Sequence, residues 1–279
     1  MKIIDGKAIA AQLRAEIKTK IERTGKTPGL AVVIVGNDPA SRIYVRNKIK
    51  ACGEIGIRSY SYELPETATQ GEVEALLDEL AVDPKVNGIL LQLPLPKGLD
   101  ADSATAHIPV EKDVDGFSAE NLGLLTMHKE RIVACTPLGV MKMLEHEKIE
   151  VAGKRAVVLG RSDTVGKPMA MLLLNANATV TVCHSKTDNI QEICKSADIL
   201  VSAVGKAKFV TADMVKDGAV VIDVGMNRDE NGKLCGDVDF DNVKEKTSFI
   251  TPVPGGVGPM TITMLMYNTY LATLRSKKD

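Results

Sequence analysis

The chain has 279 residues, 44% apolar and 25% charged, a globular composition long enough for two domains. Its 35 lysines and arginines nearly balance 36 aspartates and glutamates, so a net charge of −1 gives no general attraction to nucleic acid or an anionic membrane. Four Phe, five Tyr and no Trp exclude a stacking platform for single-stranded nucleic acid, and the longest apolar runs, such as Leu30 to Val35, are too short to span a bilayer.

Along residues 6 to 23, Ile9, Leu13, Ile17 and Ile21 recur every four positions, which predicts an amphipathic helix. Thr27-Pro28-Gly29 breaks it, and Leu30 to Val35 reads as a strand covered on both faces. A helix from about Ser41 to Glu54, a strand from Arg58 to Leu64, a helix from Gln70 to Ala81 and a strand from Val86 to Leu93 follow. Pro94 to Asp115 is punctuated by prolines and glycines and reads as loop-rich. A bridging helix is expected near Pro137 to Lys148.

A second alternating set begins at Arg155: a strand, a helix to Leu174, a strand from Thr179 to Cys183, a helix from Asp188 to Lys195, and strands at Asp198–Val204 and Ala219–Val224. Asn231-Gly232 fits a two-residue hairpin turn, TPVPGGVGPMT is turn chemistry, and a last helix covers Met260 to Arg275. Two runs of alternating strand and helix define an α/β fold class with parallel sheets. The N-terminal MKIIDGKAIA has no signal-peptide core, so a cytoplasmic location is expected. Five scattered cysteines form no C-x-x-C pair and read as reduced, and four histidines lack ligand spacing, so no metal is expected.

The stretch Lys154 to Leu174 joins a buried strand, a glycine turn and a helix N-terminus, where backbone N–H groups and the helix dipole favour a pyrophosphate. Gly160, Ser162 and Gly166 stand at the glycine places of a dinucleotide fingerprint, an imperfect match. The next strand ends in Cys183-His184-Ser185-Lys186, without the carboxylate that would bond the ribose of NAD. Arg161, Ser185 and Lys186 suit a 2′-phosphate and favour NADP, unless Arg161 and Lys186 are ordinary surface charges.

In the first half, Tyr44 and Lys48 share a helix face just beyond the carboxyl end of a strand, where open α/β sheets place ligands. A lysine against an apolar sheet can serve as a proton carrier near neutral pH, although the same face with Arg42, Arg46 and Lys50 also reads as simply solvated. Gln92 interrupts an apolar strand and either caps the sheet or orients Lys48. In Asp113-Val114-Asp115-Gly116 a loop carboxylate either accepts paired hydrogen bonds from a guanidine-like heterocycle edge or is simply exposed to solvent.

Together YVRNK, GILLQLPLP, KDVDGF, GRSDTVGKPM, VCHSKT, IDVGMNR and TPVPGGVGPMT resemble the methylenetetrahydrofolate dehydrogenase/methenyltetrahydrofolate cyclohydrolase family along essentially the whole chain. The resemblance implies two α/β domains with a cleft between them. A folate-binding catalytic domain would span residues 1–138 plus the C-terminal helix 260–279, and a Rossmann-like NADP-binding domain residues 139–259. It implies NADP-dependent oxidation of 5,10-methylenetetrahydrofolate to the methenyl compound, then hydrolysis to 10-formyltetrahydrofolate, in a homodimer. Lys48 corresponds to the family's catalytic lysine, Tyr44 and Gln92 to its partners, and Asp115 to the pterin-binding aspartate. Pro254, Gly255 and Gly256 lie in the loop that lines folate and nicotinamide, and Gly160, Arg161, Ser162, Ser185 and Met226 match cofactor contacts. The rival reading is a two-domain NADP-dependent dehydrogenase of another small substrate, of shikimate or amino-acid type.

Overall fold

The unbroken apolar run at Leu30 becomes the fully buried middle strand of a three-stranded sheet in the computed structural model, which describes residues 1–275 apart from the side chains of residues 39–41, 43 and 44. In chain order the first elements are β1 (Lys2–Ile3), α1 (Gly6–Thr24), β2 (Gly29–Val35), α2 (Pro39–Glu54), β3 (Arg58–Leu64), α3 (Gln70–Val82) and β4 (Gly88–Leu91). Then come α4 (Ala101–Ala106), α5 (Ala119–Thr126), α6 (Cys135–His146), β5 (Arg155–Leu159), α7 (Gly166–Asn175), β6 (Thr179–Cys183) and α8 (Ile190–Lys195). The chain continues through β7 (Ile199–Ser202), β8 (Val220–Asp223), β9 (Asn227–Arg228), β10 (Leu234–Cys235), α9 (Phe240–Val243), β11 (Phe249–Ile250) and α10 (Val257–Arg275).

Two compact units result. One takes residues 12–135 and the chain from Ile262 onward. Its parallel sheet has the order β3-β2-β4, with Leu30 opposite both Ser59 and Gly88. Val33, Leu77, Ile89 and Leu91 fill the core beneath it. A capping box starts α3, since Thr69 accepts from the Glu72 N–H while the Glu72 carboxylate takes the Thr69 N–H. The strand expected to run to Leu93 stops at Leu91. Gln92 still donates its N–H to Val33 at 2.8 Å, but Pro94 and Pro96 have no N–H to continue the ladder. The stretch expected to be loop-rich holds α4, capped by Asp100, and α5 follows it, capped by Ser118. Both helices are too short for a periodic signal.

The other unit takes Met1–Ala11 and Thr136–Thr261 around an all-parallel six-stranded sheet in the order β1-β11-β8-β7-β5-β6. Val157, Leu159, Leu200, Val221 and Ile250 form its core. The expected split at residue 138 differs from this division at the N-terminus. Residues 1–11 join the second sheet because β1, only two residues long, pairs with β11 and so gives no pattern in sequence. The hairpin also differs from the two-residue turn. Asp229 N–H bonds Lys233 O and Gly232 N–H bonds Asp229 O, leaving a three-residue loop with Gly232 at φ 75°. A type I turn closed by a left-handed glycine has this form. Among the described residues no helix is long and apolar enough to cross a membrane.

Candidate active site

In the three-stranded unit the structure brings Lys48, Gln92 and Asp115 together. Lys48 sits on α2, the helix that follows the central strand, and is only 5% exposed. Its Nζ donates to Gln92 Oε1 at 3.2 Å, and Gln92 Nε2 donates to Leu93 O at 2.6 Å. With its amide nitrogen committed to the backbone, Gln92 turns its oxygen toward the ammonium and fixes where the lysine points. Tyr44, the expected third member, lies outside the described residues.

The segment around Asp115 is held against the edge of the sheet. Ile89 N–H bonds Lys112 O at 2.8 Å, and Asp113 bridges Ile89 in parallel register. Gly88 makes this approach feasible, because a Cβ there would lie 2.4 Å from a Val114 methyl. At Gly116, φ 74° and a Cβ position 2.5 Å from Ala134 N both require glycine.

The two aspartates of this turn divide their tasks. Asp113 is buried and accepts from the N–H groups of Gly116, Phe117 and Ser118 and from Asn121 Nδ2, at 2.8 to 3.3 Å. It shapes the loop. Asp115 carries the site's electrostatics: burial pushes its carboxyl up to about 6, the Lys48 ammonium opposes that rise, and the Asp113 carboxylate adds to it. Near neutral pH Asp115 is ionised beside a lysine, ready to accept from a planar pair of N–H donors.

Cys135 and Asn268 had no signal as site residues in the sequence. The Cys135 thiol donates to Val114 O at 3.3 Å and lies 4.0 Å from Asp115 Oδ1. Burial and the Asp115 carboxylate push that thiol well above its ordinary value, and burial lifts Cys52 to about 11, so neither supplies a thiolate. Asn268, wholly buried on α10, donates to Val114 O at 2.9 Å and Val133 O at 2.8 Å, tying the last helix to the backbone beside Asp115. Only tertiary contact reveals either residue, since each is an isolated residue within an ordinary helical pattern.

In the six-stranded unit, Gly160, Arg161 and Ser162 follow the carboxyl end of β5 and lead into α7. Gly160 has φ 115°, and a Cβ there would stand 2.3 Å from Ala203 O. A Cβ on Gly166 would stand 2.3 Å from Gly160 O, so that glycine permits close helix–strand packing. Ser162, at the place of the second glycine, uses its hydroxyl to accept from Val165 N–H at 3.2 Å and Gly166 N–H at 3.3 Å. Arg161, Ser185 and Met226 are exposed at the carboxyl ends of β5, β6 and β8. In the CHSK turn Thr187 Oγ1 accepts from His184 N–H and His184 Nδ1 from Lys186 N–H, which leaves the Ser185 and Lys186 side chains outward. No carboxylate occupies residues 184–186. Pro254, Gly255 and Gly256 belong to the same unit. Val253–Pro254 is cis, Gly255 has φ 101°, and Gly255 O accepts from Lys7 N–H at 3.1 Å.

A second buried constellation escaped the sequence reading. Asp223 and Asp237 are 3% and 0% exposed, and burial raises the Asp223 carboxyl to about 6 despite backbone donors from Val238, Asp237 and Gly225. Elsewhere in this unit, a cavity of about 370 Å³ flanked by Lys154, Asp198, Lys216 and Phe249 holds none of the predicted residues.

A parallel sheet with a glycine turn at one strand end, together with a buried lysine–glutamine–aspartate group, defines a two-unit α/β enzyme of dinucleotide-dependent chemistry. Residues 4–115 match the catalytic domain of tetrahydrofolate dehydrogenase/cyclohydrolase, and residues 134–277 match its NAD(P)-binding domain. The chain belongs to the tetrahydrofolate dehydrogenase/cyclohydrolase family. It is 58% identical over 275 residues to the bifunctional protein FolD of Campylobacter concisus, covering 98% of this chain and 97% of that protein.

Among solved structures, the bifunctional FolD methylenetetrahydrofolate dehydrogenase/cyclohydrolase of Campylobacter jejuni superposes with a TM-score of 0.96, at 49% identity and 99% coverage of both chains. The Trypanosoma brucei enzyme, solved with NADP cofactor and inhibitor, gives 0.93 at 41% identity, covering 98% of this chain and 97% of that one. The rival shikimate-type reading falls away. A Thermus thermophilus shikimate 5-dehydrogenase shares 15% identity at a TM-score of 0.53, over 89% of this chain and all of that one, a likeness of fold alone. The protein is a bifunctional methylenetetrahydrofolate dehydrogenase and methenyltetrahydrofolate cyclohydrolase.

Proposed function

We propose that Lys48, Tyr44, Gln92 and Asp115 carry the folate chemistry, and that Gly160, Arg161, Ser162, Ser185 and Met226 hold NADP. The observation that carries the reading is the buried Lys48–Gln92 pair with the ionisable Asp115 carboxylate beside it. Bound at the glycine turn, NADP would supply the hydride acceptor that turns 5,10-methylenetetrahydrofolate into the methenyl cation. That step asks the protein for alignment and for no acid or base. Hydrolysis asks for more: water adds to the methenyl carbon and loses a proton to give a carbinol, N5 takes a proton as the C–N5 bond opens, and the remaining hydroxyl proton leaves as the formyl C=O forms, yielding 10-formyltetrahydrofolate with net release of one proton. Lys48 is the group placed to carry these protons, and Gln92 Oε1 holds it in position. Asp115 accepts from the pterin edge, and the loop bearing Pro254, Gly255 and Gly256 lines folate and nicotinamide.

The exposed Arg161 and Ser185, with no carboxylate in the CHSK turn, support NADP over NAD. Supplied with methylenetetrahydrofolate, the enzyme should reduce NADP with a kcat/KM about 10- to 10²-fold above that for NAD, since a charge-assisted phosphate contact is worth roughly 1.5–3 kcal/mol. Equal efficiencies, read from reduced-nucleotide absorbance, would remove the role given to Arg161 and Ser185.

The same reading makes the enzyme a cytoplasmic homodimer. Its support is β6, an edge strand with Thr179, Thr181 and Val182 exposed, which offers unpaired backbone groups to a second copy. Light scattering on the enzyme recovered from the cytosolic fraction should give about twice the 29.9 kDa chain mass, and a monomer or a membrane-pelleted protein would count against it.

A further inference from the structure

We infer that Asp237 is a positioning residue for the dinucleotide site, holding the turn after β7 and, through Asp223, the turn that presents Met226. The inference rests on the reading of Gly160 and Met226 as cofactor contacts.

The Asp237 carboxylate is wholly buried, and five donors converge on it. Three are successive backbone N–H groups, those of Val204 at 2.7 Å, Gly205 at 3.3 Å and Lys206 at 3.0 Å. Ser202 Oγ at 3.2 Å and Asn227 Nδ2 at 2.9 Å complete the set. Consecutive backbone N–H groups form a concavity that binds anions, and here the protein's own carboxylate fills it.

The anchored turn is next to the glycine turn. It begins at Ala203, whose carbonyl lies 2.3 Å from where a Gly160 Cβ would be, so moving residues 203–206 moves the wall behind Gly160. Asp223 braces the arrangement from the neighbouring strand. Its carboxylate accepts from Gly225, Asp237 and Val238 N–H, each at 2.9 Å. The bracing is reciprocal, and glycine permits it on both sides: a Cβ on Gly225 would meet the Asp237 carboxylate at 2.2 Å, and one on Gly236 would meet Asp223 at 1.9 Å. Met226, 64% exposed, therefore stands between two anchored residues, Gly225 and Asn227. A flexible side chain is thus presented from a stiff backbone at the carboxyl ends of β7 and β8, where parallel sheets meet their ligands.

Asp237→Asn keeps the shape but faces the convergent donors with an NH₂ group. It should raise KM for NADP by about tenfold or more, with hydrolysis of supplied methenyltetrahydrofolate within about twofold of wild type. Asn227→Ala removes one donor from a partly exposed side chain and should give a smaller rise of the same kind, which keeps the test alive if Asp237→Asn does not fold. Direct NADP titration of the wild type separates the two readings. A wild type that fails to bind NADP refutes the cofactor site itself. A wild type that binds, with folded variants binding equally well or losing hydrolysis in parallel with dehydrogenation, refutes the positioning role.

Discussion

Lys48→Met should yield a folded protein whose hydrolysis of methenyltetrahydrofolate is slower by about 10²–10⁴-fold, the usual contribution of a positioned proton carrier. Methionine keeps the unbranched stem in a site that is 5% exposed, so the helix and its packing on the sheet should survive. What disappears is the ammonium, and with it the hydrogen bond to Gln92 Oε1. The loss has a second consequence that a merely structural role would not produce. Lys48 opposes the rise in the Asp115 carboxyl, so its removal should move that group further above 6. Hydrolysis near the wild-type rate in the variant would exclude Lys48 as the proton carrier. Gln92 should behave as a lesser member of the same unit, because its oxygen orients the lysine without itself exchanging protons.

Asp115→Asn should lower kcat/KM for methylenetetrahydrofolate by about 10²-fold or more. The ionised carboxylate accepts two N–H donors of a pterin edge, each charge-assisted bond being worth roughly 1.5–3 kcal/mol, and an amide can accept only with its one oxygen. The wild-type pH profile should carry the same signature. Burial places the Asp115 carboxyl at about 6, so the accepting, ionised form predominates above that pH and is lost as pH falls through it. Folate kcat/KM should therefore drop on the acid side of about 6, and the Asn variant should lack that limb. An unchanged acid limb in the variant would assign the titration to another group, and normal folate affinity would free Asp115 of its pterin role.

The fold was legible in the sequence wherever an element was long enough to show a period. The buried β2, the helices α1, α2, α3 and α10, and the alternation that makes both sheets parallel are all present in the apolar pattern. Short elements were not. β1 pairs through two residues, and α4 and α5 depend on the caps Asp100 and Ser118. The site divides in the same way. Lys48 and Gln92 interrupt apolar neighbours, Asp115 stands in a glycine turn, and Gly160 and Gly166 flank a strand-to-helix joint, so each carries a local signal. Asp237 and Asn268 carry none, for their meaning lies in partners 10–35 and 135–154 residues away.

The glycine turn, the absence of a carboxylate in CHSK and the lysine helix are statements about chemistry available along the chain, and they point to a dinucleotide site suited to NADP and a candidate proton carrier, while the family and its two reactions are implied by the resemblance of the longer motifs such as KDVDGF and TPVPGGVGPMT. How the two neighbouring aspartates differ in their surroundings was decided by the tertiary structure. Asp113 turns inward onto three backbone N–H groups and the Asn121 side-chain amide, and Asp115 is left beside Lys48. Burial also had to be seen in three dimensions, because desolvation, a property of everything packed around a carboxylate, raises Asp115 and Asp223 to about 6.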